Sequence, residues 1–231
     1  VEALNLVAVG LGAAWASGIN LYLAVLILGG LGATGMVDLP GDLTVLEHPA
    51  VLAAAGGLYI VEFVADKVPG VDSAWDALHT FIRIPAGALL AAGVLQDWGA
   101  GYEVAAALLA GGTLAAASHA TKASGRVAVN TSPEPFSNWL VSLVEDALVL
   151  GGLFLALFKP ALFLTLLGVF ALLVIWLLPK LWRALRRLFG GAKKAMESDP
   201  DSAETNGFSV DFSSLGDHND QPSPPARRQD S

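Results

Sequence analysis

The stretch YIVEFVADKVPGVDSAWDALHTFIRIPAG, Tyr59–Gly87, decides how this chain must fold. It opens as an apolar helix and then places Glu62, Asp66, Lys67, Asp72, Asp76, His79 and Arg83 in quick succession, with Pro69-Gly70 as a break between them. Glu62 and Asp66 are four apart and share a helix face with Tyr59. Asp72, Asp76, His79 and Arg83 follow at steps of four, three and four, which on a continuous helix is one polar stripe. Charges of this density on an apolar helix need other helices to cover them.

The rest of the chain says what surrounds those helices. Of 231 residues, 54% are hydrophobic and only 15% charged, with mean hydropathy +0.59. Soluble domains carry about 25% charged residues. Five or six stretches read as long apolar helices without the polar faces that a soluble bundle requires. The expected fold class is therefore all-α, a polytopic membrane helical bundle. The absence of cysteine excludes disulfides, thiolate chemistry and Cys-based metal sites. The net charge is -8, and residues 1–180 hold thirteen acids against six Lys or Arg. No basic field points to nucleic acid. The sequence indicates no cofactor.

About six membrane segments are expected. Leu4–Leu31 is the first. Its start, EALNLVAVG, lacks the positive region of a signal peptide, so it reads as a retained helix. Fully helical, it would extend about 42 Å, beyond a core of roughly 30 Å, so it is expected to tilt or to break at Ser17-Gly18. Pro49–Asp66 is the second. Asp72–Phe81 is helical but too polar for lipid, and Ile84–Val94 is short, with Pro85 near its start; this third element either crosses or re-enters. Tyr102–Ser118 is the fourth, followed by an expected polar break, His119–Pro135. Phe136–Phe158 and Ala161–Leu178 complete the set. Together these form the domain 1–180. LWRALRRLF, Leu181–Phe189, reads as a basic amphipathic interfacial stub, and 190–231 as a disordered cytoplasmic tail.

The basic residues Arg183, Arg186, Arg187, Lys193 and Lys194 place the end of the sixth segment in the cytoplasm. Lys67 and the break with Lys122 and Arg126 then fall on the same side, and with six spans both termini are cytoplasmic. Three helices plus three of opposite topology would form a 3+3 inverted repeat. Ala16-Ser17-Gly18 has an echo at Ala123-Ser124-Gly125.

Ionisable groups at bilayer depth usually face a bundle interior or an aqueous cavity. On that ground Glu62, Asp66, Asp72, Asp76, His79, Arg83, Glu145, Asp146 and Asn20 are candidates for an ion or substrate pathway. The bland alternative is a buried network fixing helix register. Two carboxylates and an imidazole can hold a cation or relay a proton, although the spacing is no recognised metal motif. His119, Lys122 and Arg126, at steps of three and four, can bind an anion or lipid headgroup, or simply mark the cytoplasmic side. Glu145 and Asp146 lie near the middle of the fifth helix and differ by about 100° around it. They cannot point the same way, and at least one is expected to pair with His119, Lys122, Arg126 or Arg83, or to share a proton.

ASGINLY (Ala16–Tyr22), VEFVADKVPGVDSAWDALHTFIRIPAGA (Val61–Ala88) and NTSPEPFSNWLVSLVEDAL (Asn130–Leu148) resemble the bacterial membrane family known as domain of unknown function 4126. The resemblance covers roughly residues 4–180. It implies an integral protein of a bacterial inner membrane and supplies no catalytic roles. HTFIRIPAG, His79–Gly87, also resembles the arginine-and-proline segment of DedA-type membrane proteins, which implies a re-entrant helix, but the chain has no first-half partner for that motif.

Three functions follow as expectations. The leading one is a transporter or channel for a small ion or solute, cation- or proton-linked, using intramembrane carboxylates. The second is handling of a lipid or lipid-linked phosphate; no complete catalytic constellation is visible for hydrolysis. The third is a structural or partner-binding membrane protein, in which all interior polar groups would be paired. Small-residue helices such as AAALLAGGTLAAAS, Ala105–Ser118, suit close packing with a neighbour or in a homo-oligomer.

Overall fold

The computed structural model describes residues 2–68, 70–94, 101–130 and 135–197. Its elements are α1 (Glu2–Ala33), a 3-10 segment (Gly41–Glu47), α2 (Pro49–Ala65), α3 (Val71–Gly93), α4 (Gly101–Asn130), α5 (Pro135–Phe158) and α6 (Pro160–Glu197). Val1–Leu177 form one compact unit and Leu178–Ser231 another. In the second unit α6 continues through the stub 181–189 to Glu197, and the tail from 198 onward lies outside the described residues.

Four helices among the described residues are long and apolar enough to cross a membrane: α1, α4 over Gly101–Arg126, α5 over Phe136–Phe158 and α6 over Pro160–Leu177. The 3-10 segment and α2 form a pair bent by 69° that counts as a fifth if it is one broken span. His48 and Pro49 explain the bend: the imidazole of His48 accepts the Ala50 N–H at 3.2 Å, and Pro49 starts α2 where its missing N–H costs nothing. Gly41 has a positive φ and lies so close to the Gly93 carbonyl that a β-carbon would clash.

α1 is the axis of the first unit. It packs against α2, α3, α4, α5 and the 3-10 segment, and most of it is buried. Small residues permit this. A β-carbon on Gly18 would run into the Ala115 carbonyl and Ser118 of α4, and one on Gly87 of α3 would meet Ser17 and Ala115. Backbones approach closely where side chains vanish, the usual means of helix association in lipid. Outward-facing Phe81, Leu89, Leu109 and Leu172 are exposed, as a lipid-facing surface requires.

Residues 84–94 join the polar turn before them in one continuous α3 from Val71 to Gly93, with Pro85 inside it, and two expectations change elsewhere. An interior proline costs about 3 kcal/mol, and two residues on, Gly87 packs closely against α1 and α4. The polar break at His119–Pro135 is instead the C-terminal third of α4, which runs unbroken to Asn130; residues 131–134 lie outside the described residues. Consequently Lys122 and Arg126 are buried in the bundle and no longer argue for a cytoplasmic loop. Finally, α1 breaks at Asn20 (φ -146°, ψ 95°) and not at Ser17-Gly18. Ala16-Ser17-Gly18 is buried beside that break, whereas Ser124 and Gly125 are exposed on an unbroken helix, so the tripeptide echo links unlike environments.

Candidate functional site

The polar stripe of α3 behaves as its spacing predicts: Asp72, Asp76, His79 and Arg83 are all buried on one face. Facing it are Glu62 and Asp66 from the end of α2, His119, Lys122 and Arg126 from α4, and Glu145 from α5. Glu62, Asp72 and Arg83 have no solvent-exposed surface at all. Thus four helices deliver their charges to one point inside an apolar bundle.

Arg83 is the first hub. Its Nη2 donates to Glu62 Oε1 at 2.6 Å, and its Nη1 donates to Asp76 Oδ1 at 2.9 Å and to His119 Nδ1 at 3.3 Å. Arg126 is the second. It donates through Nε and Nη2 to both oxygens of Glu145, through Nη2 to Asp66 Oδ2 at 2.9 Å, and through Nη1 to the Asp66 carbonyl at 2.6 Å. Asp72 stands 3.9 Å from Arg126 and also accepts the backbone N–H groups of Gly70 and Ser73. Bidentate guanidinium–carboxylate pairs of this kind are the strongest the side chains offer.

Lys122 sits between the two hubs. Its ammonium lies 3.3 Å from Glu62, 3.3 Å from Asp66, 3.5 Å from Asp76 and 3.6 Å from Glu145. It also donates to the Ile19 carbonyl at 3.0 Å. That carbonyl is free because α1 is broken at the next residue. The Leu23 N–H, which an unbroken helix would send to Ile19, bonds the Asn20 side-chain oxygen at 3.0 Å instead. Asn20 therefore caps the second half of α1, and Lys122 satisfies the end of the first half. Asn20 Nδ2 donates to Asp146 Oδ1 and the Tyr59 hydroxyl donates to Asp146 Oδ2, each at 3.0 Å. A carboxylate thus stands at the positive end of the second half-helix and an ammonium at the negative end of the first.

Glu145 and Asp146 point apart as expected, the first to Arg126 and Lys122, the second to Asn20 and Tyr59. His79 lies to one side of the charges. Its Nδ1–H donates to the Trp75 carbonyl at 2.8 Å and its Nε2 hydrogen-bonds with the Tyr22 hydroxyl at 2.9 Å, while its ring stacks on Trp75. Because Arg83 can only donate, His119 accepts at Nδ1 and donates from Nε2 to Thr80 at 2.7 Å. Both imidazoles are fully used, and among the described residues no group of three or more His, Cys, Asp or Glu is arranged to hold a metal ion.

Among the described residues the formal charges do not balance. Glu62, Asp66, Asp72, Asp76, Glu145 and Asp146 face Arg83, Lys122, Arg126 and Lys67, the last within electrostatic reach of Asp146 and Asp66: six acids against four bases. Nor are the polar atoms all satisfied. Glu62 Oε2, Asp66 Oδ1, Asp76 Oδ2 and Arg83 Nε are buried without a hydrogen-bond partner among the described residues. Each uncompensated ion in such an interior costs several kcal/mol.

A cavity of about 930 Å³ lies elsewhere, walled by Leu43, Leu46, Val51, Leu58, Leu89 and Leu90 and sharing only Tyr22 with the cluster's surroundings. It is almost wholly apolar and carries none of the clustered charges.

The model of the family described as Domain of unknown function (DUF4126) matches residues 7–180, most of the chain and all of the cluster. The chain belongs to this family. No curated protein and no solved structure matches it. For this DUF4126 protein the sequence named the charged members of the cluster except Lys67, which it used only to orient the chain. It missed the Ile19 carbonyl, Thr80 and Tyr22. The signal for the first was Asn20, a capping residue inside an apolar helix; Thr80 and Tyr22 carry no pattern that separates them from ordinary core residues.

Proposed function

We propose that this DUF4126 protein is a transporter or channel for a small ion or solute, with Glu62, Asp66, Asp76 and Glu145 as the carboxylates that meet the moving species. The observation that supports this reading is the unbalanced cluster. A network kept only to fix helix register would be neutral and fully paired, since half-satisfied buried charges destabilise a bundle. Here, among the described residues, two formal negative charges are in excess and three carboxylate oxygens lack partners. The break in α1 supports the same reading, because interrupted helices supply ion-coordinating backbone at membrane depth. Asn20 and Asp146 belong to that break, and His79 and Asp72 frame the cluster.

In this reading α3 is a further membrane segment, bringing the count to six, with its charged face to the cluster and Phe81 and Leu89 to lipid; the location is a bacterial inner membrane. Lipid-phosphate handling is less well supported. His119, Lys122 and Arg126 are buried and already donate to or accept from the protein's own groups. The test is flux in vesicles holding the purified protein, screened with protons and monovalent cations. Flux above empty vesicles is expected, and Glu145→Gln should abolish it while the variant keeps its helical content and elutes as the parent does. Undiminished flux in the folded variant would remove Glu145 from the pathway.

A further inference from the structure

The apolar cavity and the charged cluster occupy opposite halves of the same helices. Leu58 on α2, Ala86 on α3 and Leu108 on α4 are the wall residues nearest the cluster along each helix, and Glu62, Arg83 and His119 stand on the far side of them. Tyr22 closes this inner end, where its hydroxyl meets His79. From Leu58 the wall runs back along α2 to Ala50, a helical rise of about 12 Å. That is close to the depth of one leaflet in a hydrocarbon core of roughly 30 Å. Leu58 and Leu89 line the cavity and are also exposed, so its wall continues onto the lipid-facing surface.

The outer end has a different character. A second groove, of about 870 Å³, adjoins the cavity there and shares Asp42, Val45 and Val51 with it; Thr44, Glu47 and His48 complete its wall. Asp42 is exposed, and no Lys or Arg occurs anywhere in residues 1–66. Water gains little in the apolar part, because a held water needs several polar partners. A hydrocarbon chain loses nothing there. A negatively charged head on that chain would meet Asp42 and Glu47 with no base in the 3-10 segment to offset them, whereas a positively charged one would be attracted.

We infer that the cavity takes one acyl chain of a bilayer phospholipid, and that Asp42 and Glu47 select a headgroup bearing an ammonium. The chain enters from the leaflet on the side of the 3-10 segment, lies along α2 and α3, and ends against Tyr22. Tyr22 thus touches both the end of the chain and His79 at the edge of the cluster. The transported species plays no part in this binding.

Photoreactive phospholipids test it with the full chain in vesicles of phosphatidylglycerol. A trace of phospholipid with a photoreactive acyl chain is added, carrying either an ethanolamine or a glycerol headgroup, and the labelled residues are mapped by mass spectrometry. Leu46 and Leu90 line the cavity but are only 7% and 8% exposed, so a chain must enter to label them; Leu172 of α6, 69% exposed and outside the cavity, reports ordinary lipid contact. The ethanolamine lipid should label Leu46 and Leu90 more than Leu172. It should also label them about fivefold more than the glycerol lipid does, the worth of one charge at a membrane surface, while Leu172 takes both alike. Ala54→Phe adds bulk to the cavity wall and should bring Leu46 and Leu90 below Leu172 in a variant that keeps its helical content. Asp42→Lys, at the exposed rim, should keep the labelling and reverse the headgroup preference. Labelling of Leu46 and Leu90 that stays below Leu172 in the wild type, or is unmoved by Ala54→Phe, would overturn the inference. So would equal labelling by the two headgroups, or a preference that Asp42→Lys leaves unchanged. A cavity closed to both lipids and crosslinked instead to a second copy of the chain would put that copy there and overturn it as well.

Discussion

Replacing Lys122 by methionine takes away the one charge that touches four carboxylates and the broken end of α1. Methionine has a similar volume and an unbranched chain, so packing is nearly kept and the loss is electrostatic. Removing one partner of a buried ion pair costs about 3–5 kcal/mol, because the other charge is left uncompensated. The four contacts share a single ammonium, so they do not multiply that figure. In a unit of this size each kcal/mol moves the midpoint by about 2–4 °C, giving a fall of roughly 6–20 °C in Tm. Intrinsic tryptophan fluorescence during heating in lipid nanodiscs measures it. A midpoint within about 2 °C of wild type would refute the reasoning.

Other predictions use the same assay. Glu62→Gln keeps the shape and removes one of the excess negative charges, so it should cost only about 1 kcal/mol, less than Lys122→Met; an equal or larger loss would contradict the charge count. Asn20→Ala deletes the cap on Leu23 and a donor to Asp146, and should cost about 1–2 kcal/mol, with hydrogen exchange rising on the second half of α1 before any other helix. Gly18→Val forces α1 away from the Ala115 carbonyl and should cost about 1–3 kcal/mol or more; an unchanged midpoint would mean that the two helices are not in close contact there.

How much of this was legible in the sequence depended on whether the cause was local. The α3 stripe was fully legible, since helical periodicity alone puts Asp72, Asp76, His79 and Arg83 on one face. The opposed directions of Glu145 and Asp146 follow from the same geometry. The end of α4 was misread for an instructive reason. His119, Lys122 and Arg126 look like loop residues when counted as exposed charges, but carboxylates from α2, α3 and α5 neutralise them inside the bundle. Nothing near residue 120 in the sequence announces partners at 62, 76 and 145. For the over-long first helix the sequence offers a tilt or a break at Ser17-Gly18. In the fold Gly18 is needed for close packing against α4, and the break falls where Asn20 can cap the new helix. The excess of charge was not readable at all, because it depends on which acids meet which bases.

The most direct measurement of the central claim is the charge displaced by the protein on a solid-supported membrane when the pH on one side is stepped. A wild-type current that reverses with the direction of the step, and disappears in folded Glu62→Gln, is the predicted result. A wild-type trace indistinguishable from protein-free membrane would contradict it, and the buried charges would then serve only to hold the helices together.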